Sequence, residues 1–102
     1  MDVRCLPNPF YEPELRQKTG LEPQVRDYVM DNPQTQGFIS RYMELLNYLL
    51  PLYQQEGKSQ LVVAVGCTGG HHRSVALAQY TCACLNQRGV KATVTHRDIQ
   101  RM

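Results

Sequence analysis

Residues 61–75 read LVVAVGCTGGHHRSV, and no other stretch constrains the fold as much. Leu61 to Val65 is an unbroken apolar run of strand length. Gly66, Gly69 and Gly70 bracket a tight turn, and helical character begins from His72. A strand that runs through a glycine-rich turn into a helix N-terminus aims unpaired backbone N–H groups and the positive end of a helix dipole at one point. Thr68, His71, His72, Arg73 and Ser74 add side-chain donors at the same point. A turn built for geometry alone has no need of two histidines, an arginine and two hydroxyls in so short a window.

The flanking segments suggest how that turn is held. Val3 to Leu6 reads as a short strand, followed by a stiff extended loop with Pro7, Pro9 and Pro13. Thr19-Gly20 marks a turn, and Pro23 to Met30 suits a short helix with Val25, Tyr28 and Val29 on one face. Asn32 before Pro33 has the N-cap and N1 arrangement of a long helix over 34–56. Its apolar positions Ile39, Tyr42, Met43, Leu46, Leu49, Leu50 and Tyr53 keep helical spacing. Pro51 is expected to kink or break that helix. Another helix ends near Arg88 with Gly89 as its C′ residue, and Lys91 to His96 alternates as a strand. Strands separated by helices predict an α/β fold: a small three-layer domain with a mostly parallel sheet and helices on its faces. The glycine-rich anion-binding βα turn would then sit at the carboxyl edge of the strands, where such sheets bind ligands. The strand ends are Leu6-Pro7-Asn8, Gly66 to His72, and His96-Arg97-Asp98.

A chain of 102 residues with 42 % hydrophobic content suits a single folded domain, 1–102. Its net charge of +2 does not by itself argue for nucleic acid, but the cations are placed unevenly. After residue 66 come Arg73, Arg88, Lys91, Arg97 and Arg101 against the single acid Asp98, with all three histidines. Cys5, Cys67, Cys82 and Cys84 form no C-x-x-C pair, and no apolar run approaches twenty residues. A reduced, cytoplasmic setting without membrane insertion is the expectation. Met1 leads directly into the first strand, which suggests a fragment cut at a domain boundary.

Three chemistries suit the turn. Anion binding would use the amides of residues 68–73, the Arg73 fork and histidines that strengthen when protonated. Covalent catalysis would use Cys67, which stands six residues before Arg73 with Ser74 next, the C-x5-R-S spacing of a tyrosine-phosphatase loop. That reaction needs a general acid, for which Asp98 is the candidate, and Gly66 occupies the position where such loops usually carry histidine. A metal site would draw on Cys67, His71, His72 and His96. Adjacent histidines rarely face one metal and no carboxylate is spaced to support them, so no metal or other cofactor is expected.

The motifs GCTGGHHRSVALAQ and DVRCLPNPFYEPELR, the short TGL and the closing THRDIQ together resemble the C-terminal domain of the bacterial RapZ/YvcJ family over nearly the whole chain. The resemblance implies a C-terminal fragment of a longer protein whose N-terminal P-loop domain binds nucleotide. No G-x-x-x-x-G-K-[ST] occurs here, so Walker-type nucleotide binding is not expected of this chain. It also implies the regulatory role of an RNase adapter in amino-sugar control, with small regulatory RNA and an endoribonuclease as partners. It implies sensing of glucosamine-6-phosphate as well, and carries that role onto Thr68, Gly69, Gly70, His72 and Arg73. The adapter branch has lysine where His71 stands, a histidine near Phe10 and a basic tail. The pair Phe10-Tyr11 looks like the Gram-positive branch instead.

The reading is therefore a non-catalytic binding domain for a phosphorylated metabolite or similar anion, with a cysteine phosphatase using Cys67, Arg73 and Asp98 as the alternative. The expected ligand-binding set is Asn8, Cys67, Thr68, Gly69, Gly70, His71, His72, Arg73, Ser74, His96 and Arg97. The RNA-binding set is Arg73, Arg88, Lys91, Arg97 and Arg101. Self-association through the long helix, making a homo-oligomer, is a further expectation.

Overall fold

Proline marks where two of the helices of this chain begin. The computed structural model describes residues 1–57, 60–68 and 70–97. Helix α1 spans Pro23–Met30 with proline at its first position, and α2 spans Pro33–Gln55. The Asn32 side-chain oxygen accepts the Gln34 N–H at 2.9 Å, and so satisfies one of the donors that a helix start leaves unpaired. Helix α3 spans Arg73–Gln87. It closes as a Schellman motif: Gly89 takes φ +84°, its N–H reaches Asn86 O at 3.1 Å, and the Val90 N–H reaches Leu85 O at 3.0 Å. Val90 also packs on the Leu85 cluster, the apolar contact that accompanies this motif. The three helix placements agree with the sequence reading, but Pro51 does not end α2. It lies inside the helix, which continues one turn to Gln55. So near the C-terminus the missing N–H removes a single ladder bond.

The expected sheet does not form. Among the described residues there are the three α-helices and a one-turn 3-10 helix at Pro9–Tyr11, but no strand. Residues 3–6, 61–65 and 91–96 are not β-strands, and the α/β three-layer architecture is replaced by a helical one. Residues 1–3 meet 64–66 through one parallel bridge, Asp2 to Gly66. The bonds there are Gly66 N–H to Met1 O (2.6 Å), Val3 N–H to Gly66 O (2.8 Å), and the N-terminal ammonium to Ala64 O. An apolar run becomes a strand only where a neighbour supplies a continuous ladder, and here the neighbour leaves after one bridge. Val62 is accordingly 87 % exposed. At 91–96 the backbone finds side-chain partners on α3 instead. The Asn86 carboxamide accepts from Ala92 N–H (3.1 Å) and donates to Ala92 O (3.2 Å), occupying groups a ladder would have used. The proline-rich segment is less extended than expected as well, since Asn8 accepts the Phe10 N–H at 3.1 Å and caps the 3-10 turn.

The core gathers around the N-terminal half of α3. Val3 and Leu6, Val29 of α1, Ile39 of α2, and Ala76 and Leu77 of α3 form one buried cluster. Tyr42, Leu46 and Leu85 form a second one further along. Between them the Tyr42 hydroxyl is hydrogen-bonded to Thr81, whose Oγ1 in turn donates to Leu77 O at 2.8 Å. The first turn of α3 is therefore fixed from several sides. Val75, Ala76 and Leu77 are buried, and residues 3–6 lie against it.

Candidate anion-binding site

The N-terminus of α3 has no side-chain cap of its own; His72 occupies the N-cap position without bonding a backbone amide. Its first amides are instead approached by the turn that precedes them. The Ser74 N–H donates to the Cys67 sulfur at 3.3 Å. Gly70, at φ +74°, takes the left-handed conformation that lets the chain double back over the helix end. Burial pushes the Cys67 thiol up, but hydrogen bonds from Ser74, through hydroxyl and amide, and from the Gly70 amide outweigh it. The Arg73 charge adds to them, and the thiol titrates below its ordinary value. The half-buried sulfur thus registers a local excess of donors and positive charge.

The histidines face the other way. His72 is buried, and its Nε2 lies 3.0 Å from the Arg16 carbonyl. Burial first, then the charge of His71, hold its pKa below the ordinary histidine value, against the favourable bonds to the backbone of Arg16 and Lys18. His71 stacks edge-on against it with ring centroids 4.7 Å apart. Gly20 closes this side: its N–H bonds His71 O at 2.8 Å and its Cα lies on the first turn of α3.

Arg73 points inward. It is 3 % exposed, and its Nη1 donates to the carbonyls of Arg4 (2.6 Å) and Leu6 (3.2 Å). Among the described residues its Nε has no hydrogen-bond partner. The guanidinium therefore ties residues 4–6 to the helix start. The carboxamide of Asn8 caps the neighbouring 3-10 turn.

On the outer side of the turn lies an open cleft of about 1220 Å³, whose wall at this end includes Cys67, Thr68, Gly70, Ser74, His96 and Arg97. Thr68 and Arg97 are exposed. Burial lowers the His96 pKa, and its Nε2 is buried without a hydrogen-bond partner among the described residues. Of the expected ligand set, then, Cys67, Thr68, Gly70, Ser74, His96 and Arg97 share this cleft. His71 and His72 pack toward 16–20, and Arg73 and Asn8 serve the backbone. Arg88 and Lys91 are exposed at the far end of α3, away from the turn. Gly69, Asp98 and Arg101 lie outside the described residues. No group of His, Cys, Asp and Glu among the described residues could hold a metal ion. No described helix is long and apolar enough to cross a membrane.

Three contributors escaped the sequence reading. Asp2 and Arg4 line the same cleft, placed there by the bridge to Gly66. The available signal was Asp2 ahead of a turn: its carboxylate accepts the Arg4 N–H at 3.0 Å, and the Leu6 N–H closes on Val3 O at 3.1 Å. Gly20 was read as a turn glycine, and nothing local to Thr19-Gly20 announces that a helix packs on it.

Comparison with known proteins matches residues 1–100 to the family described as RapZ C-terminal domain. A nucleotide-binding protein of Heliobacterium modesticaldum is 54 % identical over 101 residues, covering 99 % of this chain and 34 % of that protein. A nucleotide-binding protein of Syntrophomonas wolfei is 52 % identical over 101 residues, with the same 99 % and 34 % coverage. One of Geobacillus thermodenitrificans is 52 % identical over 100 residues, covering 98 % of this chain and 33 % of that protein. The chain spans about a third of the length of the curated relatives it matches.

Proposed function

The chain belongs to the RapZ C-terminal domain family, and on that premise we propose that it is a non-catalytic regulatory domain that binds a phosphorylated metabolite at the outer face of the 67–74 turn. A hexosamine phosphate such as glucosamine-6-phosphate is the ligand class. One observation carries the reading: the Ser74 amide at the start of α3 converges with the turn on the Cys67 sulfur, at 3.3 Å. Donors that hold a sulfur toward its thiolate are the donors a phosphoryl oxygen accepts from. Thr68, Ser74 and Arg97 extend the donor set along the cleft. The nucleotide binding in the relatives' names is not assigned to this third of them, since it carries no Walker motif.

Titration with glucosamine-6-phosphate, inorganic phosphate and sulfate, followed by calorimetry and thermal shift, tests the reading. Saturable stabilisation is expected, weakened in Thr68→Val. A chain whose melting responds to none of the three anions would refute it.

The same sulfur favours a second reading, a cysteine phosphatase. A thiol that titrates below its ordinary value, with Arg73-Ser74 at the C-x5-R-S spacing, is the nucleophile such an enzyme needs. Hydrolysis of an aryl phosphate that disappears in Cys67→Ser would establish that reading over the first. As for partners, Arg88, Lys91, Arg97 and Arg101 are our proposed cations for small RNA, delivered to an endoribonuclease by an oligomer of the whole protein. Such binding weakens steeply with salt, and a gel-shift titration at low and moderate salt reads it directly.

A further inference from the structure

Helix α2 carries a second apolar stripe, turned away from the core. Its inner face supplies Ile39, Tyr42 and Leu46 to the two buried clusters. On the outer face Leu45, Tyr48 and Leu52 are 58, 68 and 41 % exposed. Arg41, Leu45, Tyr48, Leu52 and Gln55 follow one another at alternate steps of four and three residues, and all five are exposed. That is the spacing of a coiled-coil seam, which keeps one line along a helix facing a partner. A single exposed leucine needs no explanation, but three large apolar side chains in register do.

We propose that this stripe is the contact between two copies of the chain, with the α2 helices antiparallel about a two-fold axis between residues 46 and 47. Charge decides both the occupant and the direction. In a parallel pair Arg41 would meet the partner's Arg41 inside the seam, two like charges with no acid between them. The antiparallel pair sets Leu45 against the partner's Tyr48 and Arg41 against the partner's Leu52, twice by symmetry. The Arg41 side chain slants toward the N-terminus of its helix, where its Nη1 donates to Gly37 O at 3.0 Å. In the antiparallel pair that direction leads toward the partner's Glu56, one turn beyond the partner's Leu52.

Each of these two charges lacks in its own chain what a second copy supplies. Among the described residues Arg41 pairs with no acid. Glu56 is the exposed C-cap of α2, where the negative end of the helix dipole disfavours a carboxylate. Antiparallel alignment also sets the two helix dipoles against each other. A seam of this length covers less than the about 800 Å² per partner of a standard interface, so association of this chain depends on its concentration.

Sedimentation equilibrium of the chain from about 10 µM to about 1 mM tests the contact, and a monomer–dimer equilibrium is expected. Tyr48→Glu places a carboxylate in the central layer and should weaken the dimer about tenfold or more. Arg41→Glu and Glu56→Arg should each weaken it by about threefold to tenfold, and the two together should restore wild-type association. Residues 41 and 56 stand about 22 Å apart along one helix, so such a rescue can only run between copies. All three positions are exposed, and circular-dichroism melts check that each variant folds. A chain that stays monomeric throughout overturns the proposal, as does a dimer indifferent to Tyr48→Glu. A dimer that Tyr48→Glu weakens but the charge exchange does not rescue overturns the antiparallel register and with it the proposal.

Discussion

Gly20→Ala should destabilise this chain through a single methyl group. A Cβ built at Gly20 would collide with the His72 carbonyl oxygen, lie 2.7 Å from the Ala76 amide nitrogen, and lie 3.0 Å from the Val75 Cβ. The first two atoms are themselves hydrogen-bonded at 3.1 Å in the first turn of α3, so neither can step aside. Relief requires residues 16–20 to slide off the helix. That movement breaks Gly20 N–H to His71 O (2.8 Å) and the His72 contact with Arg16 O (3.0 Å). Retaining the overlap costs about 1–3 kcal/mol. Losing the two bonds costs about 1 kcal/mol each. Against either stands a gain of about 0.4–1 kcal/mol from the stiffer unfolded chain. The net loss is about 1–2 kcal/mol, a fall in Tm of roughly 5–15 °C for a domain of this size. Thermal and urea unfolding followed by circular dichroism measure it. Gly37→Ala is the control: it sits inside α2 and its Cβ meets only the flexible end of Arg41, at 3.3 Å. That variant should be neutral or stabilised by up to about 1 kcal/mol. If Gly20→Ala melts within about 2 °C of wild type, residues 16–20 are not packed on α3 as described and the reasoning fails.

Arg73→Met keeps most of the side-chain volume but strands the carbonyls of Arg4 and Leu6. It should cost about 2–3 kcal/mol in urea unfolding, and an unchanged midpoint would refute the anchoring role. Alkylation of Cys67 by iodoacetamide should reach half its maximal rate at a pH below that of an ordinary thiol, because its folded pKa is depressed. Mass mapping against Cys67→Ser reads the site, and a midpoint at or above the ordinary value contradicts the donor cradle. His72 is held below its ordinary pKa by burial and by His71, so the unfolded chain takes up its proton first. Stability is therefore complete above about pH 6.5 and falls as the pH drops from there toward the folded value. His72→Gln should flatten that part of the melting-temperature profile, and an identical slope in the variant argues against it.

The parts of the structure legible in the sequence are those that neighbours along the chain decide. Asn32-Pro33 starts α2 and Gly89 ends α3 because capping and left-handed backbone are satisfied within a few residues. The start of α3 was legible for the same reason: the glycines before it break the chain locally, and any helix leaves its first amides unpaired. Strand formation is a different matter, since a strand exists only by virtue of a partner elsewhere in the chain. Leu61 to Val65 has the composition of a strand, yet residues 1–3 offer it one bridge, and Asn86 takes the backbone of Ala92 that 91–96 would have presented. Nor does the sequence tell how the Arg73 side chain is held: a helix start buried against residues 4–6 turns its guanidinium inward, onto the carbonyls of Arg4 and Leu6. Residue types near the turn follow from local order along the chain. Which of them point into it depends on contacts 60 or more residues apart, such as Arg73 to Leu6 with a separation of 67, and those belong to packing alone.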